Sequence, residues 1–275
     1  MPITRNAPAK INLGLHVLRR RKDGFHDLET VFCQIPWADT LSVRPADSIT
    51  LTTNDSSLPT GESNLVVRAA RVLAAESGTR KGAALHLEKR IPVGAGLGGG
   101  SSDAAATLRI LAEMWALSVE DVVLHRLALA LGSDVPFFMG APCAYGAGRG
   151  ELLQPLDGFQ LPYSVVVAVP RLEVSTAAAF ARIRPRDQSR ADLRSLVRSL
   201  DLPRWRRELK NDFEEQVFST YPEVGHAKDT LLNSGAAYAS LTGTGAGVYG
   251  LFLRPQQALY SARLARQKGY VVWGP

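Results

Sequence analysis

The segment Val93-Gly94-Ala95-Gly96-Leu97-Gly98-Gly99-Gly100-Ser101-Ser102 constrains this chain more than any other stretch. Five of the seven residues from Gly94 to Gly100 are glycine. Without Cβ atoms the backbone can turn its N–H groups inward and approach an anion closely. The strand-like run Ala84 to Ile91 leads into the segment, and a helix is predicted to begin near Ser101 and run to about Trp115. The positive end of that helix points at the same place, and the hydroxyls of Ser101 and Ser102 can cap it or bind phosphate or metal. A plain turn needs one or two glycines, and five would carry a needless entropic cost. The segment therefore reads as a loop that holds the phosphates of a nucleotide.

Gly94, Gly96 and Gly99 match G-x-G-x-x-G, a string shared by dinucleotide-binding proteins and protein kinases. A dinucleotide fold wants the motif early in a βαβ unit, with an acidic residue about 20 positions further on. Here more than ninety residues come first, and the nearby acids Glu113, Glu120 and Asp121 lie in helical sequence. No Gly-Lys-Ser/Thr follows the glycines, which removes the P-loop reading.

With 275 residues, 45% hydrophobic and 21% charged, the chain can bury a large core. Its net charge of +6 suits a polyanionic ligand. Cys33 and Cys143 make no CxxC pair and no disulfide framework, and the N-terminus is too polar for a signal peptide. No apolar run reaches the ~18 residues of a membrane helix. The expectation is a cytoplasmic protein that binds neither membrane nor nucleic acid. Arg182 to Arg207 is Arg-rich, but Asp187, Asp192 and Asp201 interrupt it, so it reads as solvated helix faces.

Strands are predicted over Lys10 to Leu18 and Phe25 to Ile35, with a broken hairpin over Ser42 to Thr53. Asn64 to Ser77 reads as a helix stopped by Gly78, and Ser118 as the cap of the next helix, which stops at Gly132. After the flexible Gly146–Gly150 stretch come a strand at Ser164 to Val169, helices over Asp212 to Phe218 and Val224 to Asn233, and strands at Ala237 to Leu241 and Val248 to Leu253. A helix at Pro255 to Gly269 and a strand at Tyr270 to Trp273 close the chain. Helices and strands mix without regular alternation, which favours α+β. The domain division falls near residue 148, giving 1–148 and 149–275.

The string from Pro92 to Ala105 resembles the second motif of the GHMP kinase superfamily. Pro8-Ala9-Lys10-Ile11-Asn12-Leu13 resembles its N-terminal motif, and Thr242 to Gly247 its C-terminal one. The resemblance implies an ATP-binding domain like ribosomal protein S5 followed by a ferredoxin-like domain. Arg21 to Leu28 and Gly132-Ser133-Asp134-Val135-Pro136 resemble the branch acting on a cytidine-diphosphate-linked methylerythritol in non-mevalonate isoprenoid synthesis.

That resemblance implies a small-molecule kinase using ATP and Mg²⁺, as a monomer or weak homodimer. Asp134 is the implied catalytic carboxylate and Lys10 its cationic partner. Pro92 through Ser102 are implied to hold the ATP phosphates: Pro92, Val93, Gly94, Ala95, Gly96, Leu97, Gly98, Gly99, Gly100, Ser101 and Ser102. Asn64 and Lys89 are implied beside the adenine. Asn12 is implied near the reacting hydroxyl, Phe25 and Phe180 around the cytosine, His26 at its polar edge, and Thr176 on the methylerythritol side. Position 25 is often Tyr in this branch, and Phe25 keeps the stacking face without the hydroxyl. The metal ligands are open, with Ser101 or Ser102 as candidates. Weighed against this reading are a kinase for homoserine or a mevalonate derivative, and a catalytically silent protein on the same fold.

Overall fold

A computed structural model describes residues 2–185 and 190–275. The chain divides into two compact units that interleave along the sequence. One comprises residues 1–10, 34–91 and 98–141, the other 11–33, 92–97 and 142–275.

The first two strands are long: β1 is Ile3–Arg20 and β2 is His26–Ala46. In the first unit, β3 (Ile49–Thr53), helix α1 (Leu65–Ser77) and β4 (Gly82–Glu88) follow. β4 pairs antiparallel with Thr40–Ala46 of β2 and parallel with β3. The expected hairpin over Ser42 to Thr53 is thus absent, because β4 lies between the two strands that would form it. Helices α2 (Gly99–Met114) and α3 (Asp121–Leu131) pack with α1 over the sheet. Leu73, Leu87, Leu108, Leu111 and Trp115 are among the buried side chains of this core.

Several boundaries follow local chemistry. Asn64 caps α1 by accepting the Val66 N–H at 2.9 Å, and Gly78 ends it in the left-handed conformation. α2 starts two residues before Ser101, with Gly98 at its N-cap, so neither serine caps it. α3 is preceded by Glu120 rather than capped by Ser118. Pro36, which has no N–H to give to a ladder, falls between the stretches of β2 that pair with β5 and β4.

In the second unit, Thr30–Cys33 of β2 pairs with β5 (Cys143–Ala147), which pairs with β6 (Leu152–Pro155). Cys33 and Cys143 are register partners and are joined as a disulfide, a pairing that their spacing of 110 residues did not announce. β7 (Ser164–Val169) precedes four short helices: α4 (Thr176–Arg182), α5 (Leu193–Arg198), α6 (Leu202–Glu208) and α7 (Glu214–Thr220). Leu193, Leu196, Val197, Leu202 and Trp205 face inward there, while Arg194, Arg198, Arg206 and Arg207 are exposed, as expected for solvated faces. Asp187 lies outside the described residues.

Helix α8 (Pro222–Asn233), β8 (Tyr238–Leu241), β9 (Val248–Phe252), α9 (Pro255–Gln267) and β10 (Val271–Trp273) complete the chain. The sheet order β10-β7-β9-β8 is antiparallel throughout, with α8 and α9 as the connecting helices. Counted from β7 with α8, this is the ferredoxin-like β-α-β-β-α-β arrangement.

Candidate active site

In the first unit, the Lys10 ammonium lies 3.6 Å from an Asp134 carboxylate oxygen. The lysine side chain is 4% exposed and the aspartate 34%, so the pair has one buried and one open end. Burial pulls the Lys10 pKa down, and the charge and hydrogen bond of Asp134 offset part of that pull. Asp134 follows the Gly132 stop of α3, and a short 3-10 helix opens two residues on at Pro136, with Val135 at its N-cap. The carboxylate caps no helix.

The same unit holds the helical end of the glycine segment. A Cβ on Gly98 would lie 2.9 Å from the Phe138 ring and 3.1 Å from Lys10 Cγ, so the lysine stem packs directly on this backbone. Lys10, Asp134 and the positive end of α2 therefore come together. The Ser102 hydroxyl is buried and has no hydrogen-bond partner among the described residues, while Ser101 is half-buried.

Lys89, expected beside the adenine, is paired with two carboxylates of the first unit. Its ammonium bonds to Asp39 and, at 2.9 Å, to Asp103 of α2, and its side chain is 7% exposed. Asp39 also accepts the N–H groups of Arg90 at 2.6 Å and Ile91 at 2.8 Å. Burial lowers the Lys89 pKa, but the two carboxylates outweigh it and the net direction is upward. Burial pushes Asp103 up to about 7, helped by the charge of Asp39 and opposed by Lys89. Asn64 spends its side chain on the α1 cap and on the Pro59 carbonyl, 2.7 Å away.

In the second unit, Gly94 to Leu97 lies on the glycine cluster Thr242 to Gly247. The Gly247 N–H donates to the Ala95 carbonyl at 3.0 Å, and the Thr242 hydroxyl to the Gly96 carbonyl at 3.3 Å. Gly96 has φ +74, and a Cβ there would stand 2.1 Å from the Thr242 carbonyl oxygen. Only glycine fits. Asn12 joins the same cluster: its carbonyl oxygen accepts the Gly243 N–H at 2.9 Å, and its amide donates to Thr30 at 2.9 Å. Tyr249 donates to the Asn12 backbone carbonyl at 2.9 Å.

The aromatic residues also fall in this unit. The rings of His26 and Phe180 are 5.4 Å apart, and Phe180 meets Phe213 edge-on at 4.8 Å. Burial and the nearby Arg20 charge lower the His26 pKa, which keeps the ring neutral and able to both donate and accept. Phe25 is 53% exposed and carries the Arg149 guanidinium 4.8 Å above its ring. Thr176 accepts a hydrogen bond from Thr244 at 3.1 Å.

Two family models match this chain: the GHMP kinase N-terminal domain over residues 64–142 and the GHMP kinase C-terminal domain over residues 193–268. A 4-diphosphocytidyl-2-C-methyl-D-erythritol kinase of Salinibacter ruber is 52% identical over 257 residues, covering 92% of this chain and 90% of the relative. The namesake of Chlorobium phaeobacteroides is 44% identical over 269 residues, covering 96% and 91%. The chain belongs to the 4-diphosphocytidyl-2-C-methyl-D-erythritol kinase family of GHMP kinases.

A crystal structure from that kinase family superposes with a TM-score of 0.82 at 36% identity, over 98% of this chain and 97% of that one. A mevalonate kinase structure superposes at 0.75 with 13% identity, over 98% of each chain, which is a likeness of fold alone. The two matched domain models lie on either side of residue 148.

Asp39 lies outside every motif of the sequence, while Asp103 and Thr242 lie inside the strings Pro92 to Ala105 and Thr242 to Gly247 without a role assigned to them there. Asp39 stands next to Trp37, Ala38 and Leu41, and Asp103 heads the run Ala104-Ala105-Ala106, so a charge beside apolar neighbours was a usable signal. Thr242 opens a recognised motif, but only the fold brings its carbonyl against Gly96. Among the described residues no cluster of three or more His, Cys, Asp or Glu side chains is arranged to hold a metal ion. None of the described helices is long and apolar enough to cross a membrane.

Proposed function

We propose that this chain transfers the γ-phosphoryl group of ATP to the 2-hydroxyl of 4-diphosphocytidyl-2-C-methyl-D-erythritol, on the non-mevalonate route to isoprenoid precursors. The observation that carries the chemical reading is the buried Lys10 ammonium 3.6 Å from the open carboxylate of Asp134. The family supplies the acceptor.

Phosphoryl transfer passes through a loose transition state, so positioning and charge stabilisation dominate. Asp134 orients the acceptor hydroxyl and takes its proton as the new O–P bond forms and the bond to ADP breaks. Lys10 supplies a fixed positive charge where negative charge moves, and its burial strengthens that effect. Gly94 to Gly100 and the start of α2 hold the phosphates through backbone N–H groups. Mg²⁺ would accompany the ATP phosphates as substrate and would neutralise part of their charge. The unpartnered Ser102 hydroxyl fits a ligand role toward that ion, with Ser101 beside it in sequence.

Phe180 and Phe25 stack on the cytosine, His26 reads its polar edge, and Thr176 lines the methylerythritol. Asn12 acts from its cluster with Thr242 and Gly243 on the geometry around the reacting hydroxyl. The division at residue 148, a monomer or weak homodimer, and a cytoplasmic setting without nucleic-acid partners complete the proposal.

The test offers purified protein ATP and Mg²⁺ with the cytidylyl alcohol, homoserine or mevalonate, and follows ADP release. Turnover confined to the cytidylyl alcohol supports the proposal. Turnover with homoserine or mevalonate instead would transfer the chain to another GHMP activity, and no turnover with any acceptor would leave a silent protein.

A further inference from the structure

Three buried charged groups of the first unit lie outside the chemistry above. Asp39 is fully buried in β2, Asp103 is 2% exposed in α2, and the Lys89 ammonium bonds to both. The two carboxylates do different work. Asp39 grips residues 89–91, the stretch that enters the glycine segment, through the Lys89 side chain and the Arg90 and Ile91 N–H groups. Asp103 belongs to the first turns of the helix that leaves the segment. Lys89 joins them.

The fit is close. A Cβ on Gly99 would stand 2.8 Å from the Lys89 ammonium and 3.1 Å from Ile91 Cγ2. The first helical residue therefore rests directly on the Lys89 and Ile91 side chains of the strap that leads into the loop. Breaking one partner of a buried ion network leaves the others uncompensated, so this cluster adopts one arrangement or a badly destabilised one. A phosphate-holding loop needs its N–H groups fixed before the anion arrives.

We propose that Asp39, Lys89 and Asp103 are positioning residues for the ATP phosphates: they clamp the entry and exit of the glycine loop and act on the nucleotide through its backbone. This deepens the kinase reading and rests on it. Asp39 and Asp103 are too buried to touch a nucleotide, so the clamp differs from a direct contact between Lys89 and the base.

Steady-state kinetics of Lys89→Met, Asp103→Ala and Asp103→Asn, at a temperature where each is folded by circular dichroism, test this. Lys89→Met and Asp103→Ala should each raise KM for ATP about tenfold or more, with KM for the cytidylyl alcohol within about twofold of wild type. Asp103→Asn keeps an acceptor for the lysine and should restore most of the loss. Should Lys89→Met fail to fold, the Asp103→Ala and Asp103→Asn comparison carries the test alone. The clamp is overturned if Lys89→Met alone raises KM for ATP, if both substrates weaken alike, or if thermal stability falls while KM for ATP holds. Wild-type protein without ATP-dependent turnover would instead sink the kinase reading.

Discussion

Lys10 and Asp134 meet at 3.6 Å with their surroundings reversed: the cation is buried and the anion opens outward. A solvated surface pair would leave both ends wet and would contribute little. Here the lysine is committed to the interior, while the carboxylate keeps room to receive a hydroxyl. General base catalysis typically contributes ~10²–10⁴-fold. Asp134→Asn should lower kcat by about that factor and leave KM for ATP near wild type. Near-normal kcat in this variant would remove Asp134 from the base role.

The Lys10 environment sets a pH limit. Burial holds its pKa below the ordinary 10.5, so the ammonium loses its proton at lower pH than an exposed lysine would. Activity should fall as pH rises through that lowered pKa. The effect on stability has the opposite sign. The unfolded chain holds this proton longer than the folded one, so the Lys10 contribution to stability rises with pH across the window up to 10.5. Alkaline loss of turnover should therefore precede unfolding. Lys10→Arg keeps its charge throughout the range and should flatten the alkaline limb at a reduced maximum. An unchanged limb in Lys10→Arg would assign the titration to another group.

The two phenylalanines expected around the cytosine are held unequally. Phe180 is fixed between His26 and Phe213, at 5.4 and 4.8 Å between ring centres. Phe25 is 53% exposed and already bears a guanidinium on its ring. Base stacking on an aromatic side chain is worth ~1–3 kcal/mol. Phe180→Ala should raise KM for the cytidylyl alcohol about 5- to 150-fold with KM for ATP unchanged, and Phe25→Ala should do so less. Equal rises for both substrates would argue against a stacking role for Phe180.

Local chemistry made much of this molecule legible. The Asn64 cap, the Gly78 stop and the Ser164–Val169 strand follow from residues that act on their immediate neighbours. The glycine segment was readable because a backbone without Cβ atoms has few other uses at that density. Pairings between distant residues were not readable. Nothing in the runs Ser42 to Ala46 and Ile49 to Thr53 says that β4 will come between them. Cys33 meets Cys143, and Lys89 finds Asp39 and Asp103, only once the strands are in register. Lys89 shows the consequence: its ammonium pairs with two carboxylates that lie 50 and 14 residues away in the sequence.

The Gly96 backbone allows a prediction about stability. Its φ of +74 costs an ordinary residue about 1–2 kcal/mol, before any clash. The carbonyl oxygen of Thr242, 2.1 Å from a built Cβ, adds a collision with backbone that cannot rotate away. Gly96→Ala should lower the thermal midpoint by several degrees and weaken ATP binding, whereas Gly24→Ala pays the φ strain in open space and should leave ATP binding intact. Equal ATP affinity in the two variants would detach the Gly96 contact from the nucleotide site.

Asp103 supplies a second pH dependence, with its own sign. Burial, aided by the charge of Asp39, pushes its pKa up to about 7 against the ordinary 3.8, while Lys89 opposes the rise. The folded chain therefore keeps a proton that the unfolded chain has released. The stability this contributes is fully present below 3.8 and is lost as pH rises through about 7. Asp103→Asn carries no such proton and still offers Lys89 an oxygen. The urea midpoint of wild type should fall relative to that of Asp103→Asn between pH about 5 and pH about 8, because only the wild type has a buried carboxyl to ionise between those values. A gap of the same size at both pH values would mean that Asp103 does not titrate in the folded protein within that range.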